Sequence, residues 1–115
     1  MNQTLVTVLS GYGSKAPAAI LVQACGLRLL LDAGGPLYPG QVCDWYEGLE
    51  VDAILVTHDH QDHIGSLSKL PEHIPIYATA STARGARSTG AVCRYFAAAP
   101  VGGRVLSRLR AARRI

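Results

Sequence analysis

No acidic residue follows Glu72 and no histidine follows His73. The last third of this 115-residue chain therefore has no carboxylate or imidazole with which to bind a metal or move a proton. Long apolar runs are missing as well; none approaches the roughly 18 residues that span a bilayer, so a membrane partner is not expected. Met1 to Ser10 has no basic residue, and Thr7 interrupts its short apolar stretch, which is unlike a secretory signal peptide. Cysteine is scarce: Cys25, Cys43 and Cys93 are an odd number without CxxC spacing. That pattern suits idle or buried thiols in a reducing cytosol rather than a disulfide framework, and cytoplasmic localisation is expected.

What is present is enough apolar residue for one core, 49% hydrophobic against 17% charged. That balance excludes a disordered chain, and the length allows one domain. The net charge of +3 conceals an asymmetry. Through residue 83 there are three basic residues and all eight acids, whereas eight arginines and no acid follow from Arg84. Two unlike pieces are expected, 1–83 and 84–115.

Hydropathy patterning places strands at Thr4–Leu9, Ala18–Ala24 and Leu27–Leu31, the last two joined by a tight turn at Gly26. Residues 37–50, with Tyr38, Trp45, Tyr46 and Leu49, suit a short helix. Ala53–Val56 is an unbroken apolar run that predicts a central strand covered on both faces. Apolar residues at 64, 67 and 70 predict a short helix limited by Pro71, with a further strand over Ile74–Ala78. Strands followed by strand–helix–strand predict a layered α/β domain with a mixed sheet. The turn-like Gly11-Tyr12-Gly13-Ser14 lacks the following helix that a phosphate cradle requires.

All four histidines fall between residues 58 and 73, three of them within Thr57-His58-Asp59-His60-Gln61-Asp62-His63. Neutral imidazoles ligate zinc and similar cations, and a carboxylate adds charge neutralisation. In an extended segment leaving a strand, His58 and His60 can point to one side. Asp62 and His63 fall at the start of the next helix, turned to a neighbouring direction. One loop can thus present two ligands to one metal and two to a second. Paired metals can hold a bridging hydroxide and polarise an ester, amide or phosphoryl oxygen. His73, between Pro71 and Pro75, reads as a solvated loop residue.

The His-x-His-x-Asp-His pattern at 58–63, after Ile54-Leu55-Val56-Thr57 and before Ile64-Gly65, resembles the signature of the metallo-β-lactamase-fold hydrolases. Leu29-Leu30-Leu31-Asp32-Ala33-Gly34 is similar to that superfamily's first motif, and the resemblance covers roughly residues 4 to 83. It implies the N-terminal half of an αββα sandwich with a dinuclear, usually zinc, site at one edge of the sheets. By the same resemblance His58 and His60 bind the first metal, and Asp62 and His63 the second. Asp62 also orients the attacking water, and Asp32 braces the ligand loop by hydrogen bonds.

The family supplies three further ligands from downstream: a histidine, a bridging aspartate and a final histidine. None has a counterpart here. The expectation is a zinc-dependent hydrolase present as an incomplete site, weakly active or inactive by itself. The run through Leu70-Pro71 and Pro75-Ile76-Tyr77-Ala78-Thr79 looks like the nuclease-type branch, which makes RNA or DNA a candidate substrate. A small-ester or thioester hydrolase resembling glyoxalase II is the alternative. A third reading is a non-catalytic binder that grips nucleic-acid phosphate through the arginine-rich tail. Against it, Tyr95 and Phe96 are the tail's only aromatics, too few for a stacking platform. The acid-free Arg/Ala/Gly-rich tail also fits a truncated or out-of-frame remainder of a longer hydrolase. Half a sandwich leaves a sheet face and an edge strand uncovered, so a second copy completing the sheets is a candidate partner.

Overall fold

The computed structural model describes residues 3–12 and 15–90, together with the backbone at 97–98. Six strands form one sheet in the order of the sequence: β1 (Leu5–Ser10), β2 (Ala19–Ala24), β3 (Leu27–Leu31), β4 (Ala53–Leu55), β5 (Ile76–Ala78) and β6 (Ala97–Ala98). The first two junctions are antiparallel and the next three parallel, giving the expected mixed sheet. β2 and β3 join through Cys25 and Gly26, both in left-handed backbone (φ 54° and 73°). A two-residue turn of this hand matches the twist of the strands it connects, and it sets the register at Ala24 opposite Leu27.

Side chains alternate across the sheet as the apolar runs require. Leu30, Ile54 and Ile76 are fully buried on one face, among Ile64, Leu67, Leu70, Ala83 and Ala86. Leu27, Leu29 and Ala53 form a smaller cluster with Val22, Leu55 and Tyr77. β4 therefore contributes to both clusters, which is why it reads as an unbroken apolar run. Burial of each large core side chain contributes roughly 1.5–3 kcal/mol. β1 lies at one edge of the sheet, with Leu5 and Val6 54% and 64% exposed.

Two helical expectations need correction. Residues 37–50 form no helix. Isolated turns close at Tyr38–Gln41, Asp44–Glu47 and Tyr46–Leu49, and Gly40 and Gly48 (φ 87° and 69°) break any run between them. Trp45, Tyr46 and Leu49 still reach the core, from the two overlapping turns Asp44–Glu47 and Tyr46–Leu49. The helix expected over 64–70 is instead α1 (Gln61–Ile64) followed by a 3-10 turn at Leu67–Lys69. A longer helix would pair the carbonyls of Asp62 and His63 with residues 66 and 67. Here those carbonyls accept from Ala18 N (2.7 Å) and Ala33 N (2.8 Å), so the helix stops.

α2 (Ala80–Ser88) starts at Thr79, whose hydroxyl accepts from Thr82 N at 3.3 Å as an N-cap. It buries Thr82, Ala83 and Ala86 and runs through residue 84, where the basic piece begins. The remainder of that piece lies outside the described residues, apart from the backbone of β6. No helix among the described residues is long and apolar enough to cross a membrane.

Candidate metal centre

The parallel strands β3 and β4 deliver their C-terminal ends to one place, where open α/β sheets commonly bind ligands. Asp32 follows β3 and extends the ladder by one bond, Asp32 N donating to Leu55 O at 2.9 Å. It then turns into left-handed backbone (φ 64°), a conformation that short polar residues such as Asp tolerate. The next residues run along α1: Gly35 N donates to Gln61 O (3.0 Å), and Ser66 N donates back to Ala33 O (2.9 Å). A Cβ on Gly34 would overlap Asp62 O and Ala18 N, so only glycine permits this approach of three backbone segments.

The Gly34 carbonyl accepts from Ser66 Oγ (2.8 Å), Trp45 Nε1 (2.9 Å) and Cys43 Sγ (3.4 Å). These three side chains secure the loop beneath the histidines, and none stands out in the sequence as a site residue. The adjacent small residues Ala33-Gly34-Gly35 are the signal that a close approach occurs there.

Above this base the buried Asp32 carboxylate organises the polar groups. Its Oδ1 accepts from Thr57 N (2.7 Å), and its Oδ2 accepts from the Thr57 hydroxyl (2.8 Å). His63 Nδ1 lies 2.7 Å from the same Oδ2. A carboxylate only accepts, so His63 carries its proton on Nδ1. The Thr57 hydroxyl has one proton, donated to Asp32, and can only accept from His58 Nδ1 at 2.9 Å. In the neutral rings the lone pair is then on Nε2, the form in which an imidazole ligates a metal.

The structure brings His58, His60 and His63 together. The His58 ring centroid lies 4.6 Å from that of His60 and 3.9 Å from that of His63. Asp62, half-buried, places Oδ2 3.6 Å from His63 Nε2. His73 stands apart and exposed, beside a cleft of about 430 Å³ at the N-terminal ends of the parallel strands, lined also by Arg28, Glu50 and Asp52. Among the described residues no three His, Cys, Asp or Glu side chains converge in chelating geometry. In donor chemistry the loop fits a divalent metal: three imidazoles, two of them with Nδ1 occupied and Nε2 open, and one carboxylate.

The ends of the parallel strands thus carry a histidine-rich loop braced by a buried carboxylate. Residues 13–91 match the family model of the metallo-beta-lactamase superfamily, and the chain belongs to that superfamily. It is 38% identical over 56 residues to "Probable metallo-hydrolase YflN" of Bacillus subtilis, covering 43% of this chain and 21% of that one. It is 39% identical over 74 residues to a ribonuclease of Thermus thermophilus, covering 56% of this chain and 17% of the other. A hydroxyacylglutathione hydrolase of Photobacterium profundum is 55% identical over 29 residues, 25% of this chain and 12% of its own. The matched stretches thus span about a fifth or less of these relatives. A crystal structure of a diphosphatase of the PhnP family shares the fold, with a TM-score of 0.58 at 23% identity over 84% of this chain and 51% of the other.

Proposed function

We propose that this chain carries the first metal-ligand segment of a zinc-dependent hydrolase, with His58, His60, Asp62 and His63 as the residues that hold metal. The observation that carries the reading is the hydrogen-bonded path from His58 through Thr57 to Asp32 and on to His63, which leaves both Nε2 atoms open. When bound, the metal supplies Lewis-acid polarisation of a carbonyl or phosphoryl oxygen. Asp32 fixes the tautomers and the ring orientations. Asp62 accepts a hydrogen bond from water and orients it for attack on an ester or phosphodiester.

We favour a phosphodiester substrate, because the likeness to the ribonuclease extends over 74 residues, against 29 for the hydroxyacylglutathione hydrolase. The shorter match is the more identical, at 55%, and supports a thioester as the second reading. Residues 74–115 contain no histidine or acid, so this chain holds fewer than two zinc ions and hydrolyses weakly.

Elemental analysis of the zinc-reconstituted chain, with assays on bis(p-nitrophenyl) phosphate and a glutathione thioester, tests both statements. The expected result is one zinc or fewer per chain and slow, zinc-dependent release from the phosphodiester. Two tightly held ions would overturn the incomplete-site reading, and turnover of the thioester alone would overturn the substrate assignment.

A further inference from the structure

Gly85 occupies the interior of α2, where glycine is the least helix-favouring residue after proline and alanine the most. A packing reason is present. A Cβ on Gly85 would overlap Asp59 Oδ2 and stand 2.6 Å from Asp59 Cγ and 2.8 Å from Asp59 Cβ. The three nearest atoms all belong to one side chain, so Asp59 lies against the helix in the notch that the missing Cβ leaves. Asp59 sits between His58 and His60, and the chain is extended at His60 (φ −82°, ψ 149°). In extended backbone, alternation sends the middle side chain to the side opposite its two neighbours. α2 is itself anchored in the core by Ala83 and Ala86.

We infer that Asp59 and Gly85 are positioning residues for the ligand loop: the Asp59 side chain, seated on α2 at Gly85, sets the placement of His58 and His60 relative to the core. Its consequence for zinc rests on the metal-site reading above, whereas the seat itself does not. Neither residue ligates; they act through the backbone that carries the rings.

The test uses the full chain as wild type, Gly85→Ala, Asp59→Gly and the double variant. Two measurements are made on each: the imidazole NMR resonances of the metal-free protein, and zinc affinity by competition with a chromophoric chelator. Gly85→Ala should shift the resonances of His58 and His60, leave those of His73 in place, and weaken zinc by about tenfold or more. In the Asp59→Gly background the same substitution should change neither readout, since the notch is then empty. Thermal unfolding separates this from helix damage, because alanine should raise the Tm only where Asp59 is absent. Unchanged His58 and His60 resonances in Gly85→Ala, or an equal loss with and without Asp59, would overturn the inference. Should the wild-type chain bind no zinc, the metal reading fails alone, and the resonances still decide the seat.

Discussion

Replacing Asp32 with asparagine preserves shape while removing one charge and one acceptor. The left-handed backbone at this position (φ 64°) suits asparagine as well as aspartate, so the turn survives. Thr57 N, 2.7 Å from Oδ1, can only donate, and it holds the amide oxygen at that corner. The amide nitrogen then takes the place of Oδ2, facing His63 Nδ1 at 2.7 Å and the Thr57 hydroxyl at 2.8 Å. His63 must accept at Nδ1 and move its proton to Nε2. The Thr57 hydroxyl, now accepting from the amide, donates to His58 Nδ1 and drives that ring the same way. Both rings then present N–H where a ligand lone pair stood. Three charge-assisted hydrogen bonds become neutral ones, a loss of roughly 1–3 kcal/mol in stability. Loss of partners of this kind weakens metal affinity about 10–100-fold, and here two ligands are affected at once, so the upper end is expected. Nitrogen-15 shifts of the metal-free imidazoles read the tautomers directly, and a chelator competition reads the affinity. Unchanged tautomers at both His58 and His63 in a folded Asp32→Asn variant would refute the path from Asp32 through Thr57.

Two further substitutions test the scaffold. Gly34→Ala forces a Cβ against Asp62 O and Ala18 N, which are backbone atoms held by their own hydrogen bonds. A loss of about 2–4 kcal/mol in urea unfolding is expected, and a loss under about 0.5 kcal/mol would mean the three segments can separate freely. Ile54→Ala empties the centre of the main core and should cost about 2–5 kcal/mol, with zinc affinity falling only as far as the folded fraction does.

The histidine loop and the β2–β3 hairpin were legible because each is encoded locally, whereas the role of Asp32 came from the family resemblance, its partners lying 25 and 31 residues away. Spacing places His58, His60 and His63, and the left-handed Cys25–Gly26 pair is a short-range turn signal. The double burial of β4 was legible for the same reason, since an apolar run without alternation has no solvent face. The region 37–50 differs from expectation because Tyr38, Trp45, Tyr46 and Leu49 mimic a helical stripe, whereas the last three reach the core from two short overlapping turns. The break after Ile64 follows from carbonyls captured by Ala18 and Ala33, residues distant in sequence. The knot at the Gly34 carbonyl depends likewise on donors 9, 11 and 32 residues away. The seat of Asp59 on Gly85 exists only once α2 has docked.

A sheet whose spatial order repeats its sequence order can be assembled as it is synthesised. The β2–β3 hairpin is able to close as soon as it leaves the ribosome, and each later strand adds to an edge already formed. No strand has to insert between two others, which avoids slow rearrangement of non-local pairings. The same order imposes a wait on Asp32. Its carboxylate emerges well before its partners, 25 residues ahead of Thr57 and 31 ahead of His63. The nascent chain therefore completes its scaffold before its chemistry, and the charge that governs the histidines is the last part of the hairpin's end to be neutralised.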